Sequence, residues 1–205
     1  MTYTLYAMQS SGNCYKPRLL MRQLGLPFRL VDTDTRDGGT RTPEFLALNP
    51  NGKVPLLVLP DGRTLAESDA MLIHLAEGTP LLPADGYERA LCYQWLFFEQ
   101  YSHEPYVAAA RSWLHLIPEG RARLGAEALA ELHDRGHMAL RVMEHRLEAA
   151  PWFAGSAYSI ADIALFAYTH VAGDGDFDLA PYPRIRAWLE RVRRTPDFVT
   201  MDWRP

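Results

Sequence analysis

Cysteine and long apolar runs are both scarce in this sequence of 205 residues. Its 2 cysteines, Cys14 and Cys92, cannot build a disulfide framework, which takes four or more in a small secreted scaffold. Apolar runs such as Val54–Leu59 are far shorter than the ~20 residues that a membrane-spanning helix needs. Met1–Tyr6 lacks the basic and then apolar pattern of a secretory signal. We therefore expect a cytoplasmic protein with no membrane partner.

An excess of basic residues is also missing. The chain has 21 Lys and Arg against 25 Asp and Glu, which gives a net charge of −4, so no nucleic-acid partner is expected. Hydrophobic residues make up 48% and charged residues 22%, which is ordinary globular composition. The length fits one large domain or two small ones.

The first part of the chain predicts a β-α-β unit. Thr2–Met8 has the composition of a strand, and Leu19–Leu24 carries apolar residues at helical spacing before Gly25, a common helix end. Phe28–Val31 follows as a second strand. Parallel strands joined in this way need a helical crossover.

A second group of elements follows before residue 78. Thr42-Pro43 combines a capping residue with proline at the first helical position, which predicts a short helix. Val54–Leu59 and Thr64–Ala66 flank a turn and predict a hairpin. Ser68 is then expected to cap a helix.

The character of the chain changes at Gly78–Gly86, which is dense in helix breakers. We expect domains at 1–78 and 87–205 with a linker at 79–86. The fold class predicted is α/β for the first and all-α, a helical bundle, for the second. The bundle should contain Tyr87–Leu116 with a break at Pro105, a loop at Ile117–Gly125, and helices at Ala126–Ala150, Ser159–Val171 and Pro183–Arg194.

Chemistry can be placed first at the turn after the first strand, Met8–Lys16. Ligands of α/β sheets bind outside the carboxyl ends of the strands, and the next helix offers free N–H groups and a partial positive charge there. A hydroxyl from Ser10 or Ser11 could stabilise an anion at this point. Alternatively, both serines only cap the helix.

Two further segments have the same double interpretation. In Asn49–Pro55, a cis Val54-Pro55 bond would turn the backbone of Val54 outward, where it could pair with a bound peptide. Alternatively, the proline only marks the entry to an edge strand, where proline is tolerated. At Glu67-Ser68, a helix N-terminus could hold a carboxylate, or Glu67 is a solvated charge.

Together these segments resemble the glutathione-site motifs of cytosolic glutathione S-transferases, of the bacterial, serine-type kind with a theta- or delta-like first domain. Ser159–Asp162 resembles the capping box of that family's second domain, and Pro181–Trp188 its late helix. The resemblance covers nearly the whole chain. It implies a thioredoxin-like first domain that holds glutathione as co-substrate and a helical second domain that holds the electrophile.

By this resemblance, Ser11 is the catalytic residue, whose hydroxyl would donate to the glutathione sulfur. Cys14 follows three residues later and is expected to be buried packing. Asn13 stands where related motifs often have proline and is a further sulfur contact, as is Ser10. The remaining glutathione contacts implied are Lys53 for the glycine carboxylate, Val54 beside Pro55 for the cysteinyl backbone, and Glu67 and Ser68 for the γ-glutamyl end.

The resemblance also implies an electrophile pocket on the long helix of the second domain. The residues expected there are Tyr101, Tyr106, Arg111 and Trp113. Arg18 and Arg191 are expected at the surface or in ion pairs. The family pairs as homodimers, so a homodimer is expected here.

No metal site is expected. His133 and His137 have the i, i+4 spacing of metal ligands, but the residue after His133 is Asp134, Gly136 interrupts the segment and no third ligand is evident. We expect a solvated helix face instead.

The function implied is a glutathione transferase that activates the glutathione thiol as a thiolate for attack on small apolar electrophiles, as in detoxification. One alternative is a glutathione-dependent isomerase of the zeta kind, suggested by Ser10-Ser11. Another is a non-catalytic glutathione-binding or scaffold domain, which would have no need to retain Lys53, Val54-Pro55 and Glu67-Ser68.

Overall fold

The computed structural model describes residues 2–205, which form two compact units. One unit contains the chain up to Glu77 together with Pro196–Pro205, and the other contains Gly78–Thr195. The sequence analysis assigned 196–205 to the helical domain, whereas in the structure this segment groups by contact with the first unit.

The first unit is built on a four-stranded sheet with strand order β2-β1-β3-β4. The strands are β1 (Tyr3–Ala7), β2 (Phe28–Asp32), β3 (Leu56–Val58) and β4 (Thr64–Ala66). β1 and β2 are parallel, while β1–β3 and β3–β4 are antiparallel. This confirms the β-α-β unit and the hairpin, and with them the thioredoxin-like architecture.

Three helices accompany the sheet: α1 (Gly12–Gln23), α2 (Pro43–Leu48) and α3 (Ser68–Ala76). α2 begins as predicted, since Thr42 accepts a hydrogen bond from Phe45 N and Pro43 is its first residue. α1 and α3 pack against each other, and both helices contain fully buried apolar side chains, among them Leu19, Leu20 and Met71. The carboxyl end of β1 leads directly into α1, so this packing fixes where the β1–α1 turn lies.

The second unit is helical. Its α-helices are α4 (Gly86–Phe98), α5 (Glu104–Arg111), α6 (Gly120–Leu124), α7 (Ala126–Ala149), α8 (Ile160–Thr169) and α9 (Pro183–Arg193). Two π-helical segments, Glu99–His103 and Ser112–Leu116, flank α5, and a 3-10 turn spans Ala172–Gly175. Among residues 2–205, no helix is long and apolar enough to cross a membrane.

The break predicted at Pro105 takes the form of a π-helical segment. α4 widens into this segment at Glu99, and α5 starts at Glu104 with Pro105 in its first turn, where a proline needs no N–H partner. The loop predicted at Ile117–Gly125 is wrong in part, because it contains the five-residue helix α6. Its cap, Glu119, has φ 55°, a conformation that the composition did not indicate.

The centre of the helical unit is α8, in which all ten residues are buried. Ser159 caps it and forms the predicted capping box with Asp162. Asp162 also accepts hydrogen bonds from Phe153 N at 3.2 Å and from Trp188 Nε1 at 2.9 Å. One buried carboxylate thus joins α8 to the segment before it and to α9.

Candidate functional site

The β1–α1 turn places Ser11 at the amino terminus of a twelve-residue helix. Ser11 is the N-cap, with φ −84° and ψ 126°, and its Oγ accepts a hydrogen bond from Cys14 N at 3.3 Å. The first turn of α1 contains no acidic residue. The partial positive charge of the helix is therefore not neutralised by its own side chains, and the half-buried Ser11 lies beside it.

Cys14 is part of the packing beneath this turn. Its side chain is 0% exposed, and its Sγ accepts a hydrogen bond from Met8 N at 3.4 Å. Burial raises the pKa of the Cys14 thiol to about 11, which outweighs the lowering effect of the Ser11 hydroxyl. Since the thiolate is the reactive form, this confirms the expectation that Cys14 is a packing residue.

Asn13 and Ser68 meet although 55 residues separate them, because α1 and α3 pack side by side. The Ser68 hydroxyl donates to Asn13 Oδ1 at 3.4 Å. Lys16 Nζ donates to Ser68 Oγ at 3.3 Å and to Asp69 Oδ1 at 2.9 Å. The structure thus joins the predicted sulfur-side residue Asn13 to the predicted γ-glutamyl residue Ser68.

Lys16 is a residue that the sequence analysis missed. Its side chain is 0% exposed, and a lysine is rarely buried to this extent unless it is paired, as it is here with Asp69. No local sequence signal marks Lys16 as buried, because its partner Asp69 lies 53 residues further along the chain on α3.

Ser68 does not cap α3, contrary to the sequence prediction. The helix begins at Ser68 itself, and the N-cap is Glu67, which makes no side-chain capping bond. Glu67 has φ 66°, a left-handed value that a residue with a side chain adopts at an energetic cost of about 1–3 kcal/mol. Strain of this kind is concentrated at functional sites, and here it leaves the exposed Glu67 at the start of α3 while Ser68 faces Lys16 and Asn13.

The Val54-Pro55 bond is cis, as predicted. Asn49, which is 4% exposed, donates from Nδ2 to Lys53 O at 2.8 Å and so fixes the segment before this bond. Lys53 is exposed and Val54 is half-buried. Asn49 belongs to the predicted Asn49–Pro55 motif, and its structural role is to hold the backbone of Lys53.

The four residues predicted for the electrophile pocket lie in the helical unit. Tyr101, which is 83% exposed, and Tyr106 line one open groove of about 230 Å³ together with Arg135 and Met138. Arg111 is buried and its Nε donates to Asp174 Oδ2 at 3.0 Å.

Trp113, the fourth of these residues, contacts a cation instead. The guanidinium of Arg123 lies 5.8 Å from the centre of its ring. Of the four predicted residues, the structure brings only Tyr101 and Tyr106 to one groove.

A cavity of about 470 Å³ lies beside the β1–α1 turn, within the first unit. Met8, Gln9 and Ser10 line it from the turn, and Met201 and Asp202 from the end of the chain. The sequence analysis placed Ser10 next to a ligand but assigned residues 201 and 202 to the helical domain.

His133 and His137 serve a structural role on α7. His133 Nε2 is 2.9 Å from Gly175 O, and His137 Nδ1 is 2.9 Å from the Tyr182 hydroxyl. Within residues 2–205 no three metal-ligating side chains come together.

Two family models match parts of the chain. Residues 10–77 match the family model described as "Glutathione S-transferase, N-terminal domain". Residues 97–196 match the model described as "Glutathione S-transferase, C-terminal domain".

Solved structures resemble the chain over its whole length. The crystal structure of a possible glutathione S-transferase from Rhodopseudomonas palustris has 50% sequence identity and a TM-score of 0.97, with 100% of each chain covered. That of a glutathione transferase from Burkholderia graminis, which holds two glutathione molecules per subunit, has 28% identity and a TM-score of 0.84 over 96% of this chain and 85% of the other.

Among curated proteins, the chain is similar to the disulfide-bond oxidoreductase YfcG of Escherichia coli strain K12. The two are 35% identical over 191 residues, which cover 90% of this chain and 87% of the relative.

Proposed function

Because the chain belongs to the glutathione S-transferase family, we propose that it binds glutathione in its first unit and uses Ser11 to stabilise the thiolate for attack on small apolar electrophiles. The observation that carries this proposal is the position of Ser11 as N-cap of α1, a helix with no acidic residue in its first turn. A hydroxyl donor and an unneutralised helix N-terminus both favour an anion at this point.

The tripeptide is held at three places in this proposal. Exposed Lys53 binds the glycine carboxylate, and Val54, beside the cis bond to Pro55, pairs with the cysteinyl backbone. Glu67 and Ser68 at the start of α3 take the γ-glutamyl end. The hydrogen bond between Ser68 and Asn13 supports a single continuous site from the γ-glutamyl end to the sulfur.

The reaction proposed is nucleophilic. A free thiol has a pKa of ~8.5, and each unit by which the site lowers this value is worth about 1.4 kcal/mol. The thiol proton leaves to solvent, and the sulfur electron pair forms a bond to the electrophilic carbon. The electrons of the bond that breaks go to a departing halide or, in an epoxide, to the ring oxygen, which stays in the product and takes up a proton. Binding both reactants in adjacent positions supplies proximity.

The test of this proposal combines binding with turnover. We expect calorimetry to show binding of glutathione to the wild-type protein and a panel of aromatic halides and epoxides to include conjugated substrates. Retention of glutathione without turnover of any electrophile would favour the scaffold alternative, and isomerisation of an unsaturated diketo acid without conjugation would favour the zeta-like isomerase. A chain that does not bind glutathione would refute both enzymatic functions and would favour a scaffold domain that does not use the tripeptide contacts.

A second candidate function is reduction of small disulfides, which the similarity to YfcG favours. Bound glutathione thiolate would attack one sulfur of the disulfide, forming a mixed disulfide and releasing one thiolate. A second glutathione would then release the other thiol and form glutathione disulfide. Buried Cys14 is consistent with a reaction in which glutathione supplies the sulfur. Consumption of hydroxyethyl disulfide, measured beside the electrophile panel, distinguishes the two.

The homodimer is also part of this proposal, and an exposed apolar patch supports it. Phe97 is 72% exposed, Tyr101 83%, Met138 51% and Val142 48%, and the last three line one groove. Monomeric proteins rarely expose large continuous apolar surfaces. We expect sedimentation velocity to give twice the chain mass and Phe97→Glu to weaken the association. A wild-type monomer at micromolar concentration would contradict the dimer.

The cytoplasm is the compartment that we propose for this activity. Cys14 and Cys92 are both buried thiols outside any disulfide, as is usual where thiols are kept reduced, and the cytoplasm holds the glutathione pool. Fractionation of cells that express the protein tests this placement.

A further inference from the structure

The last ten residues, Pro196–Pro205, are called the C-terminal segment below, and they contact the β1–α1 turn directly. Gln9 Nε2 donates to Met201 O at 2.8 Å and to Trp203 O at 3.4 Å. The Tyr15 hydroxyl donates to Val199 O at 2.6 Å. Gln9 precedes Ser11 by two residues, and Tyr15 follows it by four. The segment is therefore bonded on both sides of the serine.

Arg18 also joins the C-terminal segment to the β1–α1 turn. Its side chain is only 1% exposed, whereas the sequence analysis expected it at the surface or in an ion pair. Nη2 donates to Gln9 O at 2.9 Å and Nε to Cys14 O at 3.3 Å, so the guanidinium spans the two ends of the turn. Nη1 donates to Trp203 O at 3.2 Å. Three donors of one rigid, always charged group thus fix three carbonyls.

The other contacts of the segment lie away from Ser11. Asp197 pairs with Arg22 at 2.7 Å, with both side chains about half exposed, and Arg204 pairs with Asp32. The rings of Trp203 and Phe28 lie 6.4 Å apart. These contacts attach the segment to the unit, with Asp197 bound at the far end of α1, whereas the contacts through Gln9, Tyr15 and Arg18 reach the β1–α1 turn and the first part of α1.

We propose that the C-terminal segment, through Gln9 and Arg18, positions the β1–α1 turn so that the Ser11 hydroxyl lies where the glutathione sulfur binds. This inference rests on the proposed function. Gln9 and Arg18 are positioning residues, because their side-chain donors contact carbonyls of the protein rather than a ligand. A misplacement of about 1 Å at a reacting centre lowers the rate by up to ~100-fold, so a segment distant in sequence controls turnover.

Gln9→Glu is a sharp test because it keeps the shape of the side chain. The carboxylate would face the carbonyl oxygens of Met201 and Trp203 and repel them, whereas the protonated acid can donate again. Partial burial and the two facing carbonyls raise the pKa of this glutamate above the ordinary ~4.3. Above its pKa we expect faster amide exchange than in wild type at the same pH, in both the segment and residues 8–15, and below its pKa restored protection. Gln9→Ala should show the same change without pH dependence.

The kinetic result separates positioning from mere stability. We expect Gln9→Glu to lower kcat about ten-fold or more at neutral pH and to move the pH–rate profile towards higher pH, with little change in KM for glutathione. The tripeptide contacts at Lys53, Glu67 and Ser68 are not touched by this change. Arg18→Lys keeps the charge but cannot span the three carbonyls, so we expect the same direction of effect.

Asp197→Asn is the matched control within the segment. It removes the exposed pair with Arg22 and leaves Gln9 and Arg18 in place, so we expect activity within about twofold of wild type and unchanged exchange in the turn.

Two outcomes overturn the positioning role. Exchange in Gln9→Ala equal to wild type would show that the contacts are absent in solution, and faster exchange with an unshifted pH–rate profile would show that the segment only stabilises the unit. If the wild-type protein itself does not bind glutathione, the proposed function fails and the positioning role falls with it. If the wild-type protein conjugates glutathione and the pH–rate profile of Gln9→Glu is unshifted, only the positioning role is refuted.

Discussion

The chain contains two serine-capped helices that begin in nearly the same way but serve different purposes. Ser11 caps α1 and Ser159 caps α8, and each accepts a hydrogen bond from a backbone N–H of the following turn. Three residues later, α1 has Cys14 and α8 has Asp162. The difference between the two helix starts lies in this third position and in the exposure of the serine.

At the start of α8, the capping serine is buried and its hydroxyl is hydrogen-bonded within the helix. Ser159 is 1% exposed, and its hydroxyl also donates to Asp162, whose carboxylate lies at the helix N-terminus. In α1 the residue at the same position is an uncharged thiol, no acidic side chain lies in the first turn, and Ser11 is half-buried. A serine cap becomes a candidate anion site when nothing in the helix itself neutralises the positive end.

The largest effect is expected at α8, on the free energy of unfolding. In Asp162→Asn, two of the donors that now reach the carboxylate lose their acceptor, and each buried orphan costs about 1–3 kcal/mol. Urea unfolding should show this loss, whereas Ser159→Ala should cost only about 1 kcal/mol. Equal stability of Asp162→Asn and wild type would show that the capping box is not what holds α8.

The same carboxylate gives a dependence of stability on pH. Burial raises the pKa of Asp162 from 3.8 to about 6. Between these values the folded chain holds a proton that the unfolded chain has lost, so this residue makes stability fall as pH rises from about 4 to 6. The decline should be absent in Asp162→Asn. An identical pH dependence of the free energy of unfolding in wild type and Asp162→Asn would contradict the raised pKa of Asp162.

At the α1 end, Ser11→Ala should lower turnover with a model electrophile and leave glutathione affinity nearly intact. One hydrogen bond to a charged sulfur is lost, worth ~1.5–3 kcal/mol or roughly ten- to a hundred-fold in kcat. Steady-state kinetics and calorimetry measure the two quantities. Wild-type turnover in Ser11→Ala, with a loss in Asn13→Ala or Ser10→Ala, would move the catalytic role along the same turn.

Asn13→Asp makes the α1 terminus resemble that of α8 by adding a negative charge to its first turn. The aspartate can still accept from Ser68, so the contact between α1 and α3 is retained. Repulsion of the thiolate should raise the pKa of the bound thiol by about one unit and lower the neutral-pH rate about ten-fold. Added salt should reduce the effect. An unchanged pH–rate profile would mean that the sulfur binds elsewhere.

The smallest effect is expected at Cys14. Because burial raises the pKa of its thiol to about 11, native protein should resist alkylation by iodoacetamide at pH 8, and Cys14→Ala should keep nearly wild-type activity. Denatured protein serves as the positive control for alkylation. Fast modification that abolishes turnover would make Cys14 a functional residue after all.

Local sequence signals predicted much of the fold. Strand and helix patterns located β1, β2 and the β3–β4 hairpin, and Thr42-Pro43 and Ser159–Asp162 marked two helix starts. The predicted start of α3 was less accurate, because the left-handed backbone of Glu67 moves Ser68 from the cap position into the helix. No rule of composition places a left-handed φ at a glutamate.

The long-range contacts of the site could not be predicted in this way. Buried Lys16 and Arg18 look like ordinary helix surface residues in the sequence, and their burial follows from α3 and the C-terminal segment packing over α1. The contact between Gln9 and Met201 spans 192 residues. Pairings of this kind depend on the tertiary arrangement, which spacing along the chain does not contain.

In the proposed function, the β1–α1 turn stabilises the thiolate of bound glutathione. Ultraviolet absorbance of the thiolate, titrated against pH in the glutathione-saturated protein, measures that pKa directly. We predict a value at least about one unit below the ~8.5 of a free thiol, and a rise of about 1–2 units in Ser11→Ala. A bound thiol that titrates like free glutathione in both proteins would contradict the account.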